Sequence, residues 1–195
     1  RCFMRASDSL KSDFPSVRAA AARSIRGALW GDREQELFEL LGDTDNAVVD
    51  DVLQTIAFMK NVTSLSDKSR TVLLDFVRST NTQKADAARS ILRKLDLTDS
   101  RIRLSSLARS PDPSERARVA EEMFNVKEEQ PAAWLEILVR DESPLVRKAA
   151  IKAAGKISDP VAREILKHMA ADDKDEEVRK LAESTLTQHT ASNKR

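Results

Sequence analysis

Two similar stretches of sequence decide the fold of this chain. It reads Pro144-Leu145-Val146-Arg147-Lys148-Ala149-Ala150 toward its C-terminal end and Pro15-Ser16-Val17-Arg18-Ala19-Ala20-Ala21 near its start. A third copy reads Val178-Arg179-Lys180-Leu181-Ala182, and weaker copies lie between the first and the last. Aligned on the valine or its equivalent, the six copies are anchored at residues 17, 48, 84, 116, 146 and 178. A period near 30 residues is typical of stacked helical hairpins, in which each repeat contributes two helices.

Apolar residues follow each anchor at helical spacing. In the first copy they are Val17, Ala21, Ile25 and Ala28, which share one face of an α-helix. Prolines two residues before the anchor suit the first turn of a helix. Acidic residues four positions before the anchor favour the helix start as caps; they are Asp13, Asp112 and Glu142. The predicted second helices of the hairpins cover residues 16–29, 46–60, 82–95, 115–125, 144–157 and 176–187.

The segment before each anchor has an apolar stripe of its own, such as Trp134-Leu135 with Ile137-Leu138. These stripes predict the first helix of each hairpin. The predicted first helices cover residues 2–11, 33–42, 66–79, 100–109, 131–140 and 160–171. We therefore expect a single repeat domain over residues 1–187, followed by a polar C-terminal tail over 188–195. The longer gap after the second anchor predicts extra loop around residues 61–65.

The composition agrees with an all-α protein. Hydrophobic residues make up 41% of the 195 and charged residues 33%, which is enough apolar material for a core. Only four Gly and six Pro occur, whereas β-rich folds need many turn residues. No apolar run reaches the length of a membrane span, so no membrane association is expected. The single cysteine, Cys2, favours a reducing, cytoplasmic location. Because the sequence begins with Arg1, we expect it to be part of a larger polypeptide or complex.

At these phrases the chain resembles the HEAT-like repeat family in its short-period, PBS-lyase-type form. The resemblance implies an α-α superhelix, a HEAT-like solenoid of about six helical hairpins whose second helices line the concave side. It also implies a ladder of ion pairs between repeats, formed by the arginine of each phrase and nearby acids. By this resemblance the ladder includes Arg18, Arg147 and Arg179, with Asp13, Asp141 or Glu142, and Asp173 or Asp175. The second to fourth copies carry other residues at the arginine position, namely Val49, Ala85 and Ala117.

The concave side of such a solenoid is the candidate partner-binding surface. The second-helix positions expected there form a mildly basic groove, interrupted by acidic and neutral residues. The predicted groove residues are Arg23, Arg26, Arg89, Arg93, Arg118, Glu122, Lys148, Lys152 and Lys180. A groove of this kind predicts a non-catalytic scaffold or docking module that binds a protein partner, such as an extended segment. The less favoured alternative is a nucleic-acid-binding solenoid that uses the same arginines and lysines.

The sequence offers little for catalysis, and it predicts no catalytic residue, no cofactor and no metal. Its two histidines, His168 and His189, lack companions at metal-ligand spacing, and His168 is expected on the exposed side of its helix. Cys2 lies in a terminus, where a nucleophile is poorly held. A lyase or glycosylase on a HEAT-like fold is a second alternative. It would need an acid and aromatic residues in one pocket, and the only indoles are Trp30 and Trp134, of which Trp134 is expected in the core.

Overall fold

The computed structural model describes residues 6–26, 33–60, 62–126 and 131–192, and every regular element in these ranges is helical. The all-α class predicted from the repeated phrase is thereby confirmed. The chain divides into two compact units, Arg1–Ile102 and Arg103–Arg195. The single repeat domain over residues 1–187 stays a prediction.

The first unit consists of helical hairpins whose second helices pack side by side. Its helices are α1 (Ala6–Leu10), α2 (Pro15–Ser24), α3 (Glu34–Leu40), α4 (Asn46–Phe58), α5 (Asp67–Val77), α6 (Thr82–Arg93) and the start of α7 (Asp99–Ala108). Helix α4 packs between α2 and α6, while α3 contacts α1 and α5. Fully buried residues such as Leu37, Val52, Ile56 and Leu73 form its core. Two helical layers thus enclose one apolar cluster, as the two stripes of each repeat require.

The second unit repeats this arrangement with its own core. Its helices after α7 are α8 (Pro113–Glu122), α9 (Pro131–Leu138), α10 (Pro144–Ala154), α11 (Pro160–Asp172) and α12 (Glu176–Ser192), with a short 3-10 helix at Met123–Asn125. Helix α10 packs between α8 and α12, and α9 contacts α11. Leu135, Val146, Ala150, Leu166 and Val178 are fully buried in its core. Small residues such as Ala150 let these second helices approach closely.

The predicted helices agree with the observed ones, with small differences at the ends. The largest differences are at α2, which was predicted to end near residue 29 and ends at Ser24, and at α12, which was predicted to end near residue 187 and continues to Ser192. The segment is polar, but it contains no glycine or proline that would end a helix. The extra loop predicted around residues 61–65 lies between α4 and α5, where Val62 and Leu65 are buried.

The helix caps differ in part from the prediction. Asp112 is a cap, since its Oδ1 accepts the N–H of Ser114 at 2.8 Å. Asp13 and Glu142 are not caps, because Pro15 and Pro144 begin their helices and place Phe14 and Ser143 at the N-cap. Neither of these two N-cap residues makes a side-chain cap hydrogen bond. Asn81, whose Oδ1 accepts the N–H of Gln83 at 3.0 Å, is a side-chain cap that was not singled out.

The ladder of ion pairs exists, but with different partners from those expected. Each arginine pairs through Nε and Nη2 with an aspartate that precedes the second helix of the following repeat. The pairs are Arg18–Asp43 at 2.6 and 2.8 Å, Arg116–Asp141 at 2.7 and 2.9 Å, and Arg147–Asp173 at 2.8 and 2.9 Å. The prediction was that each arginine pairs with an acid of its own repeat, for example Arg18 with Asp13. A carboxylate one repeat farther along lies opposite the planar guanidinium and meets it with two parallel hydrogen bonds.

The fourth repeat belongs to the ladder, contrary to its sequence alignment. Arg116 takes the arginine place that was assigned to Ala117, because Pro113 begins α8 and so shifts the register by one residue. Its Nη1 donates to the backbone oxygen of Ser110 at 2.8 Å, as that of Arg18 does to the oxygen of Ser12 at 2.7 Å. The ladder arginines therefore also bind the loop before their own helix.

Candidate partner-binding groove

A groove runs between the second helices α8 and α10 of the second unit, with a volume of about 400 Å³. Alanines make it possible, because Ala117, Ala120, Ala149 and Ala153 line it with side chains too short to fill the space between the helices. We call this surface the α8–α10 groove. The residues that line it are Ser114, Ala117, Arg118, Ala120, Glu121, Leu145, Lys148, Ala149, Lys152, Ala153 and Lys156.

Helical periodicity explains why these side chains share one face. On α10, Leu145, Lys148, Ala149 and Lys152 follow one another at intervals of three, four and seven residues from the first. The exposed fraction of Leu145 is 52%, which is large for a leucine beside a groove. The groove therefore combines an apolar floor, an exposed apolar side chain and a row of cations.

Four basic residues and one acidic residue line the groove. Two of the cations have carboxylate partners: Arg118 Nη2 lies 2.9 Å from Glu122 Oε1, and Lys148 Nζ pairs with Glu177 Oε2. The pKa of Lys148 is raised above its ordinary value by the hydrogen bond to Glu177, against the opposing effect of burial. Lys152 and Lys156 are exposed, and their side chains make no ion pair or hydrogen bond with any described residue. The unpaired positive charge of the groove is thus carried by these two lysines.

The structure places three of the predicted groove residues of this unit together and separates two others. Arg118, Lys148 and Lys152 line the α8–α10 groove. Glu122 lies beside it and accepts hydrogen bonds from both Arg118 and Arg103. Lys180 on α12 pairs with Glu176 at 2.6 Å and does not line the groove.

The four predicted groove residues of the first unit have partners there. Arg23 pairs with Asp51, and Arg26 stacks over the Phe58 ring at 5.0 Å from its centroid. The others are Arg89, 2.8 Å from Asp86, and Arg93, 2.7 Å from Asp99. Three of these four cations are thus paired with carboxylates, unlike Lys152 and Lys156. A role for all nine predicted residues in binding remains a prediction.

Sequence reasoning missed Lys156 and Leu145 as groove residues. Lys156 follows the last turn of α10, and only its spacing of four residues from Lys152 could have indicated the same face. Leu145 was read as part of the repeated phrase. Its exposure follows from the small neighbouring side chains, which no pattern within one helix reveals.

Two other cavities carry mixed charge. One of about 520 Å³ lies between α9 and α11, with Arg140, His168 and Lys174 opposite Glu136 and Asp172. His168 is exposed, as predicted, and its Nδ1 lies 3.0 Å from Asp172. Acidic and basic side chains thus both line this cavity.

The other cavity, of about 370 Å³, lies between α3 and α5 and contains Glu34, Ser66 and Ser69. Burial raises the pKa of Glu34, but hydrogen bonds from Ser69 and Ser66 outweigh it and hold the pKa below its ordinary value. Within the described ranges, no three His, Cys, Asp or Glu side chains form a group that could hold a metal ion.

The remaining candidates from the sequence have different outcomes. Trp134 is 6% exposed in the core of the second unit, as predicted. Cys2 and Trp30 lie outside the described residues, and so does the side chain of His189. Among the described helices, none has the length and apolarity needed to cross a bilayer.

Residues 101–187 match the family model of HEAT repeats. This segment is similar to HEAT repeats. The HEAT-like resemblance drawn from the repeated phrase is thereby confirmed. No curated protein matches the chain.

Solved structures of helical-repeat proteins are similar to the chain at low identity. The archaeal HEAT-like repeats protein from Thermococcus onnurineus NA1 is 12% identical, with a TM-score of 0.41 over 95% of this chain and 86% of that one. An engineered protein is 18% identical, with a TM-score of 0.40 over 96% of each chain. A designed armadillo repeat protein is 16% identical, with a TM-score of 0.36 over 95% of this chain and 98% of that one.

Proposed function

We propose that this protein is a non-catalytic HEAT-repeat interaction module that binds an extended segment of a partner protein in the α8–α10 groove. The observation that carries the proposal is the groove itself, whose alanine floor lies between two rows of longer side chains. Rigid helices hold these side chains in a fixed array, so little conformational entropy is lost on binding. We further propose that the module works in the cytoplasm as part of a larger polypeptide or complex.

The lining favours a protein segment over a nucleic acid. Single-stranded nucleic acids are usually bound by aromatic side chains that stack on the bases, and among the described residues that line this groove none is aromatic. Phosphate tracks need successive cations, whereas α8 contributes one cation to the lining, Arg118, together with the acidic Glu121. The apolar floor suits the side chains of a peptide.

The lining does not support the lyase or glycosylase alternative. Its described residues include no histidine or cysteine, and the one carboxylate among them is the exposed Glu121. An acid–base mechanism needs a positioned proton donor or acceptor near the substrate. We therefore assign the groove to binding.

Photo-crosslinking from the groove tests the proposal. A photoreactive amino acid at Ala149, which lines the groove, is compared in cell extract with one at Arg163, an exposed position on α11. We expect a protein adduct from position 149 that survives nuclease treatment and is missing from position 163. A nucleic-acid adduct at position 149, or identical adducts from both positions, would contradict the proposal.

A further inference from the structure

The unpaired lysines of the groove indicate the chemistry of its ligand. Resting on the proposed function, we infer that the bound protein segment is acidic and extended, and that it places an apolar side chain against Leu145. Four cations and one carboxylate line the groove, and Lys152 and Lys156 have no partner among the described residues. A negatively charged segment complements this surface, whereas a basic segment would meet like charges.

The two groove cations that have partners, Lys148 and Arg118, strengthen this assignment. Lys148 pairs with Glu177, whose side chain is 80% exposed, and Arg118 pairs with Glu122. Exposed ion pairs of this kind are weak and exchange readily. The pairs with Glu177 and Glu122 show that the groove cations bind carboxylate groups. Carboxylates of a partner can therefore replace these two side chains.

The dimensions suit an extended peptide. Leu145 and Lys152 are seven residues apart on α10, which corresponds to about 10 Å along the helix axis. An extended chain advances about 3.3 Å per residue, so about three residues of the ligand cover this distance. A segment with an apolar residue at one end and a carboxylate about three residues later contacts Leu145 and Lys152 together.

The test compares labelled peptides on the full chain by fluorescence anisotropy. The acidic probe is a peptide of about ten residues in which Glu alternates with Gly around one Leu, a length that spans the groove with a margin on each side. Matched probes replace each Glu by Ser or by Lys, and an oligo-dT of similar length represents nucleic acid. Hydrogen exchange of α8 and α10 locates the bound probe.

Two double variants distinguish the effect on binding of charge in the groove from the effect of the net charge of the protein. Lys152→Glu with Lys156→Glu reverses the unpaired groove cations. Arg163→Glu with Lys68→Glu makes the same change in net charge at two exposed residues outside the groove whose side chains make no ion pair or hydrogen bond with a described residue. Melting curves show whether each variant folds, and Lys152→Gln with Lys156→Gln serves if the reversal fails to fold.

The inference predicts that the acidic peptide binds most tightly and protects α8 and α10. Its affinity should fall about tenfold or more in the groove variant and stay within about twofold in the control variant, because several exposed charge contacts are lost only in the first. A Ser peptide that binds equally well in the groove would overturn the acidic assignment and leave the proposed function standing. Absence of binding by the acidic peptide would also overturn it. Tighter binding of oligo-dT at the same helices would overturn both proposals.

Discussion

The guanidinium of Arg147 is nearly buried and makes hydrogen bonds in two directions. It is 3% exposed, it pairs with Asp173 of the following repeat, and its Nη1 donates to the backbone oxygens of Asp141 and Glu142 at 2.9 Å. Asp173 in turn accepts the N–H of Asp175 at 2.8 Å. One arginine thus joins two loops and one carboxylate in a satisfied polar network, which is the condition under which a buried charge is tolerated.

Arg179 offers a natural comparison with Arg147. It occupies the same place in the last repeat, and its Nη1 donates to the backbone oxygen of Asp173 at 2.6 Å, but it has no carboxylate partner among the described residues. We expect Arg147→Ala to lower the free energy of unfolding by about 3 kcal/mol, since it leaves Asp173 buried and unpaired. Arg179→Ala should cost about 1 kcal/mol, the value of one hydrogen bond. Denaturant titration measures both, and equal losses would show that the aspartate pair contributes nothing.

The ladder aspartates make stability depend on pH. Burial raises the pKa of Asp173, but the hydrogen bonds from Arg147 and from the backbone of Asp175 outweigh it and hold the pKa below its ordinary value. The pKa of Asp43 is lowered mainly by its hydrogen bond with Arg18. Because the folded state favours the charged carboxylate, this stabilisation is complete above the ordinary pKa and is lost as the pH falls below about 4.

The resulting prediction concerns the slope of stability against pH. Asp43→Asn combined with Asp173→Asn should give a shallower loss of unfolding free energy between about pH 5 and pH 2 than the wild type shows. Denaturant titrations at several pH values provide the measurement. Leu181→Ala is the control, because it weakens core packing without removing a carboxylate. If the double variant kept the wild-type slope, these carboxylates would not titrate as described.

At the scale of elements, one glycine determines how closely α10 and α12 approach. Gly155 follows α10 with φ −62°, a helical value that alanine also adopts. A Cβ at this position would lie 2.6 Å from Cγ2 of Thr185 on α12, which is shorter than van der Waals contact allows. The Thr185 hydroxyl donates to the backbone oxygen of Leu181 at 2.8 Å, which holds the methyl group in place.

Gly155→Ala is therefore expected to destabilise the protein by about 1–3 kcal/mol through overpacking. Without a steric conflict the same change would stabilise it by about 0.4–1 kcal/mol, because alanine restricts the unfolded chain. Thr185→Ser removes the conflicting methyl group while keeping the hydroxyl, so it should rescue the variant. Thermal melts of the two single variants and the double variant measure this coupling, and additive effects would contradict the contact.

At the scale of the whole molecule, the apolar residues form two core clusters, one in each compact unit. In repeat proteins each hairpin contacts only its neighbours, so stability is approximately a sum of local contributions. A defect in one core is expected to act on nearby hairpins first. Ala150, which is fully buried on α10, is the position where this is tested most directly.

Ala150→Asp should cost about 3–5 kcal/mol, because it buries a carboxylate without a partner. Hydrogen exchange should show loss of protection in α8, α10 and α12, while α2 and α4 of the first unit keep wild-type protection. Ala149→Asp is the matched control. Ala149 precedes Ala150 in the sequence, but it is half-buried and lines the groove near Lys152. Uniform loss of protection in all helices would mean that the chain unfolds as one cooperative body.

The sequence by itself determined the helices and their pairing into repeats. The phrase around Val146 and its copies has the period of an α-helix within each copy and a period near 30 residues between copies, and both are properties of the chain read in one dimension. The spacing of the alanines, the prolines at the helix starts and the small number of glycines also predict helices. Hence the helices were located to within a few residues without any contact being known.

Only the tertiary structure determined which charged side chains pair with each other. Arg18 binds Asp43 because stacking brings a loop 25 residues away beside it. The groove depends in the same way on packing between helices, since Lys148 pairs with Glu177 on α12 whereas Lys152 has no partner among the described residues. Long charged side chains on a helix can reach several neighbours at similar energy. Their partners are therefore set by packing between helices, which the pattern within one helix does not contain.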